Sequence, residues 1–187
     1  GWELRFLPLF LGIGLIHLVG LVDDFHNLSA LLKFGLQLLA AAIVTSGGFL
    51  IRSITIPYIG PLRLGLFAYP VTVLWIVAIS NALNLIDGLD GLAGGIAAFA
   101  YLFMGVIALI QGADVTAVAC FALLGAVVGF LAFNLPPARI FMGDSGSLFL
   151  GFTLAVLPLI GGMSKASAFG TLLVPVTLLT VPILDTI

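Results

Sequence analysis

The chain has 187 residues, of which 62% are hydrophobic and 7% are charged, with a formal net charge of −2. A soluble domain carries about 25% charged residues, so this sequence cannot clothe a water-facing surface. Its charge favours no nucleic acid, and its single cysteine, Cys120, rules out an internal disulfide and reads as a small buried hydrophobe.

The apolar residues fall in long solid blocks, unlike the short alternating strands of a β-barrel. A bilayer core takes roughly 20 apolar residues per helix. About seven runs approach that length: 6–22, 30–50, 66–82, 91–111, 114–133, 147–163 and 168–187. The expected fold is all-α, a polytopic transmembrane helical bundle in which 1–187 form a single transmembrane domain. The first run, with His17 inside it as a hydrogen-bonded packing residue, ends at Asp23-Asp24; His26 follows in a loop, and Lys33 opens the second run. Gly47-Gly48 reads as a helix-end break. The stretch 51–65 partly alternates polar and apolar residues around Pro57 and Gly60-Pro61, which predicts a short hairpin on the membrane surface.

The third run ends in Asn81-Ala-Leu-Asn84-Leu-Ile-Asp87-Gly-Leu-Asp90-Gly91. Gly94-Gly95, just inside the fourth, suits close helix packing. The fifth ends at Asn134 and leads through Pro136-Pro137 to Met142-Gly-Asp144-Ser-Gly-Ser147, where the sixth begins. Gly161-Gly162 reads as another helix-end break, and the seventh run ends at Asp185. The chain opens without Met, shows no signal peptide and stops inside an apolar run, so further helices are expected on both sides.

Consecutive spanning helices alternate direction, so the first, third, fifth and seventh runs exit on one side. Six of the eight acidic residues, Asp23, Asp24, Asp87, Asp90, Asp144 and Asp185, therefore gather on one membrane face, and Glu3 and Asp114 fall on the other. Acidic residues at membrane depth are costly and are functional candidates by default. The cations count the other way. Lys33 and Arg139 share the acidic face, whereas Arg5, Arg52, Arg63 and Lys165 lie opposite, which by the positive-inside rule places the motifs outside the cytoplasm.

On a helix Asn84, Asp87 and Asp90 are spaced by three and share a face, with Gly88 and Gly91 loosening the backbone for a ligand. Carboxylate and amide oxygens are hard donors suited to Mg²⁺, and the lack of a Cys/His cluster disfavours zinc. The alternative is a set of polar caps at the interface. Asp144-Ser-Gly-Ser147 offers a helix N-terminus that can bind an anion, with Asp144 able to place a metal beside it; equally, Asp144 or Ser145 is a plain N-cap. In the Asp23-Asp24 pair one carboxylate can be held by a cation while the other accepts a proton. Lys33 can meet a phosphate, pair with an aspartate or simply snorkel. Carboxylates, a metal and an anion-receptive helix end at a membrane surface suit phosphoryl transfer.

Four segments resemble signatures of the polyprenyl-phosphate N-acetylhexosamine-1-phosphate transferases: 22–33, 81–93, 136–151 and 181–186. Their order and spacing match along essentially the whole chain. The resemblance implies a bundle of ten or eleven helices, of which about seven lie here, with the active site on the cytoplasmic face of the bacterial inner membrane. It implies transfer of a sugar 1-phosphate from a UDP-sugar to a polyprenyl phosphate, with release of UMP and a need for Mg²⁺, Mn²⁺ being a substitute. By motif position, Asp144 and Asn84 would be metal ligands, and Asp23, Asp24, Asp87 and Lys33 catalytic. Asp90, Asn134, Phe141 and Asn81 would bind substrate, with Phe141 stacking on the uracil.

The family's histidine-rich loop, which helps select the sugar, does not lie within these residues. The forms of the last two motifs look like the N-acetylglucosamine branch, with UDP-N-acetylglucosamine and undecaprenyl phosphate as substrates and a lipid-linked sugar for cell-envelope polysaccharide as product. The phospho-N-acetylmuramoyl-pentapeptide branch is the alternative, and a homodimer is left open. Chemically, a lipid phosphate oxygen would attack the β-phosphorus directly after the Asp23–Asp24 pair takes any remaining proton; a two-step route through an aspartyl-phosphate is the rival. A cation-coupled transporter would place its acids near the midplane in repeated halves, which this sequence lacks. An intramembrane aspartyl protease would use a Gly-x-Gly-Asp motif, but Phe141 stands at its first glycine.

Overall fold

The computed structural model describes residues 2–56 and 60–160. Among them are six helices and one hairpin: α1 (Trp2–His26), α2 (Ala30–Ser46), β1 (Ser53–Ile56), β2 (Gly60–Arg63), α3 (Ala68–Ile86), α4 (Leu92–Ile110), α5 (Asp114–Asn134) and α6 (Gly143–Ile160). All but α2 are long and apolar enough to cross a membrane. The chain is a multi-pass membrane protein, and the exposed Leu, Val and Phe side chains along its spanning helices suit a lipid surround. The seventh expected run, with Asp185, lies outside the described residues.

At 17 residues α2 spans about 25 Å, somewhat less than a hydrocarbon core. Ser29 begins it, accepting the Leu32 N–H, and Gly47 ends it. The expected break at Gly47-Gly48 is therefore real. The predicted hairpin also forms: β1 and β2 pair antiparallel with Ser53 opposite Arg63 and Ile54 opposite Leu62. It is tied to α3 by the Ile51 N–H, which donates to Thr72 Oγ1 at 2.9 Å.

The architecture turns on α6. Its residues from Ser147 to Leu157 are nearly all buried, and it packs against α1 and α3, while α2 flanks both of those helices and α4 pairs with α5. A helix apolar on every side belongs in a bundle interior. Lipid gives no hydrophobic push between helices, so close contact and interhelical hydrogen bonds hold them. Two small residues show the first effect. A Cβ at Gly151 would lie 2.7 Å from Ser80 Cα of α3, and one at Gly20 of α1 would lie 2.5 Å from Ser145 Cα of α6. Tyr101 of α4 shows the second, its hydroxyl bonding Leu150 O at 3.1 Å and Thr153 Oγ1 at 2.6 Å. Of the Gly94-Gly95 pair, Gly94 meets α5, where a Cβ would approach Leu131 Cδ2 to 2.9 Å, whereas Gly95 faces open space.

Candidate active site

The alternation of helix direction brings the ends of α1, α3 and α5 beside the starts of α2, α4 and α6. Five of the six acids counted on one face meet there. Asp185 lies outside the described residues.

Asp144 is the centre. Lys33 Nζ donates to Asp144 Oδ2 at 2.6 Å and to Asp23 Oδ2 at 2.8 Å, bridging α1, α2 and α6. Asn84 Nδ2 donates to Asp144 Oδ1 at 3.0 Å and to Ser147 Oγ at 2.8 Å, bringing in α3. Each oxygen of the Asp144 carboxylate thus has its own donor on its own helix. Lys33 is an ion-pair partner here, one of the roles its position allowed.

The two adjacent aspartates have different partners. Asp23 Oδ1 also accepts the Leu28 N–H at 2.6 Å, so its carboxylate closes the α1–α2 turn as well as holding Lys33. The Asp24 carboxylate accepts the N–H groups of Asp144 and Ser145 at 2.7 and 3.1 Å. These are the second and third residues of α6, the groups an N-cap side chain ordinarily satisfies. Met142, in the local cap place, has no oxygen to offer, and neither Asp144 nor Ser145 caps its own helix. The cap comes from α1, and the helix macrodipole adds to its hold on a negative charge. Gly143 makes room: its φ is +66°, and a Cβ there would lie 2.8 Å from both Asp24 oxygens.

Asp87 follows α3 directly, and among the described residues its carboxylate has no hydrogen-bond donor. Burial first, then the charges of Asp144 and Asp24, push its pKa from 3.8 up to about 6. It is the carboxylate of the group best suited to exchange a proton near neutral pH.

A second cluster shapes the loop 135–142. Asp90 Oδ2 accepts the Ala138 N–H at 3.0 Å, Asn134 Oδ1 accepts the Gly91 N–H at 3.0 Å, and Asn134 Nδ2 donates to Ile140 O at 2.9 Å. Asp90 and Asn134 therefore hold the loop against the start of α4. Phe141, 78% exposed, stands out from that loop immediately before Met142-Gly143. Asn81 is elsewhere: one turn deeper in α3, it bonds Gln37 of α2. His17 bonds Ser145 O at 3.4 Å and meets the Phe149 ring edge-on, the packing role expected of it. Sequence reasoning missed Gln37 and the Asp24 cap. A lone amide in an apolar run was a signal for the first; nothing local announced the second.

A family model described as glycosyl transferase family 4 matches residues 6–162. The chain belongs to that family. Among its relatives in the family, it is 40% identical over 98% of its length to a protein of Bacillus subtilis (strain 168) named as a probable undecaprenyl-phosphate N-acetylglucosaminyl 1-phosphate transferase, covering 51% of that protein. It is 35% identical over 81% of its length to a phospho-N-acetylmuramoyl-pentapeptide-transferase of Listeria monocytogenes serovar 1/2a, covering 51% of it. With the enzyme of the same name from Clostridium perfringens (strain SM101) it shares 38% identity over 81%, covering 49%. The chain spans about half the length of the curated relatives it matches. Family membership favours neither the transporter nor the protease reading.

The donor set fits a Mg²⁺ ion in chemical kind. Among the described residues no group of three or more His, Cys, Asp or Glu side chains could cage a metal. Mg²⁺ does not require one, since it is commonly held by one or two carboxylates, water and substrate phosphates. Asp144 is the hard-oxygen group at the centre of this site; the Asn84 amide, whose nitrogen faces Asp144 here, would turn its oxygen to the ion.

Proposed function

We propose that this chain carries the active site of an enzyme that transfers N-acetylglucosamine 1-phosphate from UDP-N-acetylglucosamine to undecaprenyl phosphate. It would release UMP and form the lipid-linked sugar from which cell-envelope polysaccharide grows. The observation that carries the reading is the convergence of Lys33, Asn84 and the Asp24-capped α6 on Asp144 at one end of a membrane bundle. The name of the Bacillus subtilis relative supports the sugar and the lipid. The phospho-N-acetylmuramoyl-pentapeptide donor is the second reading, supported by the relatives of that name, which match a smaller share of the chain.

Mg²⁺, with Mn²⁺ as a substitute, would be held by Asp144 and Asn84, and when bound would supply positive charge to the diphosphate. The chain's own residues do the rest. Lys33 supplies a fixed cation beside the transferring group. Asp23 holds Lys33, and Asp24 holds the α6 N-terminus. With those two carboxylates so engaged, Asp87 is the proton acceptor for the lipid phosphate. A lipid phosphate oxygen then attacks the β-phosphorus, forming a new P–O bond as the bond from β-phosphorus to the bridging oxygen breaks. UMP leaves with that oxygen. Phe141 offers an exposed ring for the uracil, and Asp90 and Asn134 set the loop that presents it.

The site would face the cytoplasm of the bacterial inner membrane, where UDP-sugars are made. The cation count favours the opposite orientation, and setting aside Lys33, which is committed to Asp23 and Asp144, only widens that imbalance; the cytoplasmic placement rests on the UDP-sugar donor. The test is UMP release by the purified full-length protein in detergent, with and without undecaprenyl phosphate and Mg²⁺. Release from UDP-N-acetylglucosamine that requires both supports the reading. Activity only on the muramoyl-pentapeptide donor replaces the sugar, and turnover of neither donor by folded protein overturns the proposal. Exchange of labelled UMP into the donor without lipid would sink direct attack in favour of an aspartyl-phosphate.

A further inference from the structure

Gln37 has no part in the chemistry above, yet it is 1% exposed and sits one turn along α2 from Lys33. Its amide makes a reciprocal pair with Asn81 of α3. Gln37 Nε2 donates to Asn81 Oδ1 at 3.3 Å, and Asn81 Nδ2 donates back to Gln37 Oε1 and to Val77 O, the latter at 2.8 Å. An amide buried in a bundle interior is expensive unless its hydrogen bonds are met, and here each partner meets the other's.

We propose that the Gln37–Asn81 pair is a positioning device, which fixes the register of α2 on α3 so that Lys33 and Asn84 reach opposite oxygens of one Asp144 carboxylate. The connections form a ring. Lys33 and Gln37 are four apart on α2, Asn81 and Asn84 are three apart on α3, and both spacings put neighbours on one helix face. Lys33 and Asn84 close the ring above through Asp144, and Gln37 and Asn81 close it below through each other.

The rest of α2 from Leu38 to Val44 is Leu, Ala and Ile with a final Val. Packing between such side chains constrains sliding weakly, whereas a two-way amide pair is directional. A slip of about 1 Å at a reacting group can cost about a hundredfold in rate. Asn81 thereby acts through the helices and not by touching substrate. The catalytic consequence rests on the transferase reading; the effect on Lys33 does not.

The test is the double variant Gln37→Leu/Asn81→Leu in the full-length protein. Replacing both partners with apolar groups leaves no orphaned amide, so thermal unfolding in detergent stays near wild type. Two readouts follow. The first is the rate at which an amine-reactive reagent labels Lys33, resolved from Lys165 by peptide mass. Labelling is expected to be severalfold faster, because the ammonium no longer sits between two carboxylates. The second is turnover: kcat falls by about tenfold to a hundredfold with the donor KM little changed. The swap Gln37→Asn/Asn81→Gln, which can re-form a two-way amide pair, restores much of both. Wild-type labelling in the double-Leu protein overturns the proposal, as does freed Lys33 with unchanged kcat. A raised donor KM that the swap fails to restore overturns it in favour of substrate contact by Asn81. Altered labelling in a protein that turns over no donor, even unmutated, leaves the device standing and removes the transferase reading instead.

Discussion

The Lys33 ammonium lies 2.6 Å from Asp144 Oδ2, a charge-assisted contact between residues 111 positions apart in the chain. It links the start of α2 to the start of α6 and places a fixed cation between the Asp23 and Asp144 carboxylates. Lys33→Met removes that cation and leaves Asp23 and Asp144 without their shared partner. Loss of one preorganised charge of this kind costs about a hundredfold to a thousandfold in kcat. Steady-state UMP release measures it. Because both partners are partly exposed, the thermal midpoint should move little, so a collapse of the fold would argue against a catalytic role for Lys33.

Gly143 touches no substrate in the proposed mechanism but is expected to be intolerant. An Ala there has to adopt φ of +66° with its Cβ against both Asp24 oxygens. Gly143→Ala should dislodge the cap, lowering both thermal stability and turnover. Asp24→Ala removes the cap without the clash and should cost about 0.5–2 kcal/mol, the range for a lost N-cap. Asp24→Asn keeps one acceptor oxygen and should fall between wild type and Ala. Unfolding of the three variants in detergent orders them.

Asp87 makes stability and activity move in opposite directions. Its folded-state pKa, near 6, lies above the ordinary 3.8, so the folded protein holds this proton more tightly than the unfolded chain. The resulting stabilisation is complete below about 3.8 and is lost as pH rises through 6. At pH 7.5 the charged carboxylate opposes folding, so Asp87→Asn should raise the thermal midpoint of the metal-free protein while abolishing turnover. At pH 4 the two proteins should unfold alike. A midpoint lowered by the substitution at pH 7.5 contradicts the raised pKa.

If the 135–142 loop receives the donor as proposed, its variants should separate donor binding from chemistry. Phe141→Ala removes an exposed ring and should raise the donor KM with kcat nearly unchanged. Asp90→Asn keeps an oxygen for the Ala138 N–H and should be milder than Asp90→Ala, which frees the loop. Donor titrations at saturating lipid phosphate distinguish these outcomes; a fall in kcat alone for Phe141→Ala would remove the ring from the donor site.

Much of this arrangement was legible in residue order. Solid apolar blocks dictated helices, and alternating direction put Asp23, Asp24, Asp87, Asp90 and Asp144 together before any contact was known. The hairpin followed from local alternation and its prolines. What stayed hidden depends on partners far along the chain. Asp23 and Asp24 are neighbours in sequence, but successive helical residues point about 100° apart, so one meets Lys33 and the other α6. The sixth helix begins at Gly143, four residues before its apolar run, because its cap is supplied by α1 and local capping patterns cannot register an acceptor 120 residues away. Gln37 was visible as a polar residue in an apolar run, but Asn81 as its partner was not.

The cap that Asp24 places on α6 also orders the protein's birth. Ribosomes deliver α1 to α5 before α6, so until α6 is made Lys33 has Asp23 for company and Asp24 has no helix end to receive. The nascent bundle must carry these acids at the membrane edge, still hydrated, until Gly143 emerges and the sixth helix slots between α1 and α3. Assembly of the acidic centre therefore waits for α6, and chains halted before that helix should remain open to water and to membrane proteases at the very end of the bundle where chemistry is proposed to occur.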